Sequence, residues 1–405
     1  MTNISTWQQF EQTRYYEPLT SDLEVDFAII GGGLAGLLLA YQLRDEGSIA
    51  ILEKDKIGSG ATALTTAFLT QSIDTDPTTL QEIYGKEARL IYESHAKGID
   101  LIESIVKKEK IDCEFTRCDN YIFANTHKQY LSLQEESNTL KDLGVKNKLR
   151  KDDKLNFLNF GYILIPDQAK FHPLKFLYAL AVICEKSGVK IFENTECYSI
   201  KDDEGIRITT RQAQVRPKKV IIATYDPLGN PKETFAKKGM YVTYVYEATL
   251  RREIPEGIYE DVNNPYHYFR IDGNRIIVGG EDHREELAPP EENNLKALKE
   301  FMNDKFGSDN FSLVRRWKGP ILEPTDGLPL IGEYKPDHFV ACAFSGNGMT
   351  YSAITALMLS DLITGKQHEW QELYNPRRIP SLKSLWKKGR DYTEELFGGA
   401  VKNAI

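Results

Sequence analysis

The chain has 405 residues, of which 41% are hydrophobic and 27% charged, with a formal net charge of -8. That much apolar material supports a sizeable core and excludes a disordered or fibrous chain, while the acidic balance disfavours an extended phosphate-binding surface, so nucleic acid is not an expected partner. The five cysteines, Cys113, Cys118, Cys184, Cys197 and Cys342, are scattered and form no CxxC pair, which fits reduced thiols in a cytoplasmic protein and gives no metal site.

The first 26 residues lack a basic region followed by an apolar secretory segment, and no later apolar run is long enough for a transmembrane span. Residues 25–30 then read as a short buried strand running into Gly31-Gly32-Gly33-Leu34-Ala35-Gly36, after which the apolar period becomes helical through residue 43. Gly31, Gly33 and Gly36 supply a GxGxxG spacing. The first glycine permits the tight turn, the second lets a pyrophosphate approach the backbone, and the third lets helix and strand pack closely. Free N–H groups at the helix start, around Leu34 and Ala35, would receive the phosphate charge. After Gly47, residues 48–52 form a second strand ending at Glu53 and Lys54, about twenty residues past the glycines, where an acid binds a ribose hydroxyl. Strand, glycine turn, helix, strand and acid in this order predict a dinucleotide site of the Rossmann type. They recognise only an ADP half and do not separate FAD from NAD.

Residues 80–110 are charge-rich with recurrent apolar positions, as in amphipathic helices. A strand candidate at 121–124, a helix at 127–143, a strand at 161–165 and a helix at 173–186 follow. Next come a strand at 189–192, a hairpin around 198–208, and a buried strand at 218–224 ending in Ala223 and Thr224. Alternating apolar and aromatic residues at 241–249, 266–271 and 275–280 predict an antiparallel sheet suited to the wall of a substrate cavity. Residues 291–306 read as a helix. Near the C-terminus, a strand at 339–343 leads into a second glycine-rich loop, Phe344-Ser-Gly-Asn-Gly-Met-Thr350, that opens an apolar helix.

Several further stretches carry a likeness: Gly58-Ser-Gly-Ala-Thr62, Thr65-Thr-Ala67, Phe171-His-Pro-Leu-Lys175, Glu193-Asn-Thr195, Pro265-Tyr-His-Tyr-Phe-Arg270, Gly279-Gly-Glu-Asp-His283 and Thr325-Asp-Gly-Leu-Pro-Leu-Ile-Gly332. With the nucleotide motif they make the chain resemble the D-amino-acid oxidase (DAO) superfamily of FAD-dependent oxidoreductases, most closely the flavin domain of bacterial members fused to a Rieske iron–sulfur module. The resemblance implies an α/β Rossmann-type FAD-binding domain, discontinuous over residues 20–80, 160–228 and 320–370. An α+β substrate domain with an antiparallel sheet would occupy 81–159 and 229–319, and a C-terminal helical extension 371–405. It implies noncovalent FAD contacted by Gly31, Gly33, Leu34, Ala35, Gly36, Glu53, Lys54, Gly58, Ser59, Gly60, Ala61, Thr62, Thr65, Thr66, Cys197, Ala223 and Thr224. Gly346, Asn347, Gly348, Met349 and Thr350 would approach the isoalloxazine.

The departures from the family pattern are specific. The chain ends at Ile405 with no Cys-His pair of Rieske spacing, so electrons are expected to leave by another route, to a quinone or a protein acceptor. Gly319 stands where related sarcosine oxidases attach flavin through cysteine, Val278 where they place a lysine over the flavin, and Thr350 where they bind substrate with a lysine. Ile321 stands where glycine oxidase has a carboxylate-binding arginine.

Arg270 is a candidate anchor for an anionic substrate group or a structural ion-pair partner. Tyr268 and Trp317 are candidate aromatic walls, Asn347 a further substrate contact, and no catalytic acid or base is assigned. His172, before Pro173, is a candidate helix cap, and alternation puts His267 on the face opposite Tyr266 and Tyr268. The function expected is oxidation of a C–N bond in an amine or amino-acid-like small molecule by hydride transfer to flavin. The alternatives are an FAD-dependent dehydrogenase of a non-amine substrate and a non-catalytic interaction protein that FAD stabilises.

Overall fold

The computed structural model describes residues 3–225, 238–287, 290–324 and 326–379. In chain order its elements are β1 (Leu23–Ile30), α1 (Leu34–Leu43), β2 (Ile49–Leu52), α2 (Ala61–Leu64), β3 (Phe68–Leu69), α3 (Pro77–Tyr84), α4 (Ala88–Glu109), β4 (Thr116–Phe123), α5 (His127–Asp142), β5 (Lys148–Arg150), β6 (Tyr162–Lys170), α6 (Pro173–Lys186) and β7 (Lys190–Phe192). They continue with β8 (Cys197–Asp202), β9 (Ile206–Thr210), β10 (Gln214–Ile222), β11 (Lys238–Leu250), β12 (Gly257–Asp261), β13 (His267–Asp272), β14 (Arg275–Arg284), α7 (Glu291–Phe306), β15 (Phe311–Pro324), β16 (Leu330–Lys335), β17 (His338–Cys342) and α8 (Gly348–Ile363).

The first sheet has the order β16-β17-β10-β1-β2-β7, with the β8–β9 hairpin joined to β10. The strands β17, β10, β1, β2 and β7 run parallel, and parallel strands covered on both faces read as continuous apolar runs rather than alternating ones. That is why β2 is buried along its whole length. Helix α1 is apolar all round because it is packed between α6 and α8 rather than lying on the surface. Amphipathic α4 turns Ile91, Ile99, Ile102 and Ile105 inward and covers α8.

The second sheet has the order β15-β11-β14-β13-β12-β4-β6-β3, with β5 on β6, and is antiparallel except between β12 and β4. One face carries an aromatic core with α7: Tyr259 stacks on Phe269 at 4.5 Å, and Phe157 and Phe306 meet Phe269 edge-on. The nucleotide-binding sheet and the second, largely antiparallel sheet are the α/β plus α+β architecture expected.

Two strands cross the expected domain limits. Residues 162–170 form β6, which pairs with β4, β5 and β3 in the second sheet and not with the nucleotide sheet. Strand β15 continues through Gly319 and Pro320 to Pro324 because β11 offers a matching ladder over its whole length. The expected helical extension is made of turns at residues 371–377, where Tyr374 packs into the first core and Arg378 grips Asp326 through both carboxylate oxygens at 2.7 Å. Residues 380–405 lie outside the described residues. Among the described residues no helix is long and apolar enough to cross a membrane, and no group of His, Cys, Asp and Glu side chains could hold a metal.

His267 fastens the second sheet to α7. Its ring lies parallel to Phe301 at 4.1 Å, with Nδ1 3.2 Å from Asp261 Oδ2 and Nε2 2.9 Å from Glu281 Oε1. Burial opposes a charge there, but the two carboxylates outweigh it and raise the imidazole from 6.5 to about 9. A folded-state value above the unfolded one contributes stability in full below 6.5 and loses it as pH rises through about 9. The difference in thermal midpoint between the natural protein and His267→Gln is therefore expected to be largest below pH 6.5 and to shrink toward pH 9, with a charge-linked contribution of roughly 3 kcal/mol. Melting curves across that window check it; a difference that grows with pH would contradict it.

Candidate active site

A cavity of about 650 Å³ lies where the C-terminal ends of β1, β2 and β10 meet the second sheet, the usual place for a ligand in a parallel α/β sheet. At its first end the backbone does the work. Gly31 has φ +114°, and a Cβ there would lie 2.5 Å from Ala223 O. A Cβ on Gly36 would lie 2.1 Å from Gly31 O, so Gly36 sets the helix against the strand and does not line the cavity, contrary to its expected cofactor contact. A Cβ on Gly33 would meet nothing nearer than Thr62 Oγ1 at 3.5 Å, so the room beside it belongs to the cavity. Helix α1 opens on Gly33 with no acid in its first turn; Leu34 N–H donates to Thr62 Oγ1 at 3.2 Å, and the positive end of the helix suits an anion.

Glu53 accepts from Gly32 N–H at 2.7 Å and Asp55 N–H at 2.9 Å. Burial raises its pKa against the pull of those two bonds. Leu34, Ala35, Lys54, Gly58, Ser59, Gly60, Ala61, Thr62, Thr65, Thr66, Cys197, Ala223 and Thr224 all line this part of the cavity. A helix start with no acid in its first turn, a side-chain-free approach at Gly33 and a carboxylate with remaining acceptor capacity fit the ADP half of a dinucleotide.

The segment after α2 is held from outside. Ala63 O accepts from Ser5 Oγ, Leu64 O from Trp317 Nε1 at 3.0 Å and Thr65 O from Trp7 Nε1 at 2.6 Å. Thr66 O and Ala67 O accept from Arg270 Nη1 at 3.3 and 3.1 Å. This corrects two expectations. Arg270 is 1% exposed, also bonds Phe171 O and Asp272, and does not line the cavity; both of its Nη atoms are engaged by the protein itself, out of reach of a substrate anion. Trp317 likewise turns its indole to Leu64 and forms no cavity wall.

The far end is built from side chains. Tyr268 lines it, its hydroxyl 2.7 Å from Thr243 Oγ1, and it fits because Gly279 has no side chain: a Cβ there would lie 2.4 Å from the tyrosine ring. Tyr266 and Phe68 complete an aromatic wall. Gly346, Asn347, Gly348 and Met349 also line this end, but the Gly346 N–H is taken by Asp74 Oδ2 at 2.7 Å, leaving the first turn of α8 to face the cavity. Thr350, expected to approach the cofactor with them, is fully buried against Gly98 of α4 and contributes no lining.

Glu260, on β12, accepts from Ser72 Oγ at 2.7 Å and Asn120 Nδ2 at 3.1 Å. Burial, with Asp74 nearby, pushes its carboxyl up to about 7 in spite of those bonds. The sequence reading missed Phe68, Ser72, Asp74 and Glu260; none sits in a recognisable motif, and the pairing of β12 with β4 and with β13, opposite Tyr268, is what carries Glu260 to the cavity.

Gly319 lines the cavity and offers no sulfur to a flavin. Ile321 makes the wall there apolar. Val278 points into the aromatic core behind the sheet. His172 caps α6, accepting from Lys175 N–H at 3.2 Å, and burial holds it neutral, down at about 4.

Two glycines separate binding from folding. Gly33→Val is expected to keep the fold while strongly lowering the flavin-to-protein ratio, because it fills cavity space. Gly36→Ala is expected to cost about 1–3 kcal/mol of stability, because it drives a methyl into Gly31 O. Absorbance at the flavin band and thermal melting distinguish them; full cofactor content in Gly33→Val would contradict the placement.

Comparison with known proteins agrees with this geometry. Residues 26–362 match the family model described as FAD dependent oxidoreductase (DAO). A putative Rieske 2Fe-2S iron–sulfur protein of Bacillus subtilis is 28% identical, over 98% of this chain and 80% of that protein. The gamma-glutamylputrescine oxidoreductase of Escherichia coli is 25% identical over 90% of this chain and 89% of its own. The crystal structure of glycine oxidase from Geobacillus kaustophilus superposes with a TM-score of 0.77 at 20% identity, covering 88% of this chain and all of that one. With more than half of its length inside the family model, and with a cavity that fits the dinucleotide, the chain belongs to the DAO family of FAD-dependent oxidoreductases and is an enzyme with noncovalently bound FAD.

Proposed function

We propose that this enzyme oxidises a C–N bond in an amine or amino-acid-like compound and passes the electrons to a quinone or protein acceptor. The observation that carries the first half is the aromatic chamber of Phe68, Tyr266 and Tyr268 set against the α8 loop, with no catalytic acid or base required beside it. The amine-oxidising names of the Escherichia coli relative and of glycine oxidase support it. The likeness to the Bacillus subtilis protein over nearly the whole chain supports kinship with the Rieske-fused branch.

The chemistry FAD would supply when bound is acceptance of a hydride from the carbon beside nitrogen, whose lone pair closes the C=N bond of an iminium ion that water later hydrolyses. The protein's part is positional. Tyr268 and Asn347 contact the substrate, the aromatic wall keeps water away from it, and the first turn of α8 aims its positive end into the cavity, favouring negative charge there. Asp74 fixes that turn by holding Gly346.

The acceptor half rests on charge. Among the described residues lining the far end there is no lysine, arginine or histidine. Lys318 is 62% exposed and pairs with Glu291, and Arg270 is committed to backbone carbonyls, so neither supplies a cation over the flavin to stabilise reduced oxygen.

Anaerobic mixing of the FAD-loaded enzyme with amines, amino acids and hydroxy acids, followed at the flavin absorbance, tests the first half. Bleaching by an amine is expected, and bleaching by hydroxy acids alone would overturn the reading. Mixing the reduced enzyme with oxygen or with quinones tests the second: the quinone reaction is expected to be faster by about tenfold or more, the scale of one lost electrostatic contact. Faster reoxidation by oxygen than by every acceptor tried would identify an oxidase instead.

A further inference from the structure

Amine-oxidising flavoenzymes can recognise either the carboxylate of an amino acid or a second positive charge on a diamine, and the far end of this cavity is built for one of these. We propose that Glu260, joined to Asn347 through Ser72, binds a protonated amino group, so that the substrates are α,ω-diamines or longer polyamine-like compounds rather than amino acids. This rests on the amine reading above.

The wall offers acceptors where an amino-acid site needs donors. Glu260 is held by two neutral donors, Ser72 Oγ and Asn120 Nδ2, and no basic side chain among the described residues pairs with it. A second carboxylate, Asp74, lines the same end. Asn347, 8% exposed and on the same wall, commits its Nδ2 to Ser72 O at 2.8 Å and leaves Oδ1 with no hydrogen-bond partner. A carboxylate lacking a cation calls for an ammonium, which has three N–H donors and no acceptor, and the amide oxygen without a donor adds to the acceptor character of the same wall. The faces of Tyr266 and Tyr268 suit the same charge. A substrate carboxylate would meet the opposite: the apolar Ile321, the occupied Arg270 and two like charges. Burial, with Asp74 nearby, pushes the Glu260 carboxyl up to about 7, and a bound cation would favour its ionised form.

The diamine follows from electron counting. A nitrogen held as ammonium has no lone pair to form C=N, so it cannot be the one that reacts. The oxidised nitrogen must be a second, neutral amine on the same molecule, and the bound ammonium leaves unchanged.

The test uses FAD-loaded enzyme under anaerobic conditions, with the four-carbon α,ω-diamine, the monoamine of the same chain length and glycine as probes, reading the apparent Kd from the rate of flavin bleaching. The diamine is expected to bind about tenfold or more tighter than the monoamine, the worth of a charge-assisted contact. Glu260→Gln is expected to remove that preference with FAD content retained, and Glu260→Asp to restore part of it. Equal loss for diamine and monoamine in Glu260→Gln, or tighter use of glycine than of diamine, would overturn the proposal while leaving amine oxidation standing. Bleaching by no amine but by a hydroxy acid would remove both. If the glutamine variant does not fold, the diamine-to-monoamine ratio of the natural enzyme decides.

Discussion

Five consecutive backbone carbonyls, from Ala63 to Ala67, accept hydrogen bonds from side chains outside the cavity, and the geometry of the site depends on that row. A buried acceptor left without a donor costs about 1–3 kcal/mol, so a segment with five of them needs an external framework. Ser5 and Trp7 supply it from the N-terminal arm, Arg270 from β13 and Trp317 from β15. With its oxygens fixed outward, the segment presents its other side to the cofactor. The same four side chains join the arm, the nucleotide sheet and the second sheet at one point.

The two ends of the cavity divide recognition by chemistry. The nucleotide end is mostly backbone: glycine turns, helix donors and one carboxylate already tied to Gly32 and Asp55. Such a surface reads phosphate and ribose, which vary little. The far end depends on particular side chains that reach one another only through pairing between distant strands, as when Gly279 makes room for Tyr268 and Ser72 meets Glu260. Substrate choice is written there, and small changes in those residues would redirect the enzyme without disturbing its cofactor.

This division also explains what was legible in the sequence. The strand, glycine turn, helix and Glu53 were readable because each step is local, and α6 and α7 were read to their final residues because a cap or proline marks the start of each. Strand β15 was missed because Arg315, Arg316, Gly319 and Pro320 break its apolar pattern; the structure supplies what the pattern lacks, pairing Arg315 with Glu247 of β11. Arg270 was misassigned for a related reason. An arginine after Tyr-His-Tyr-Phe looks like an anchor in a cavity wall, and alternation along β13 does put it on the face of Tyr268, but its targets, the carbonyls of residues 66, 67 and 171, carry no side-chain signature at all. Glu260 was invisible because its significance comes from Ser72 and Asn120, 188 and 140 residues away.

The order in which these parts are made has a consequence of its own. The arm and the carbonyl row it caps are translated within 58 residues of each other, but Trp317 follows Leu64 by 253 residues. At roughly 5–20 residues per second that gap lasts about 13–50 s on the ribosome. Through that interval the nascent nucleotide sheet carries a cofactor segment with only part of its framework. The full framework of the cofactor segment is thus assembled only after β15 has been made.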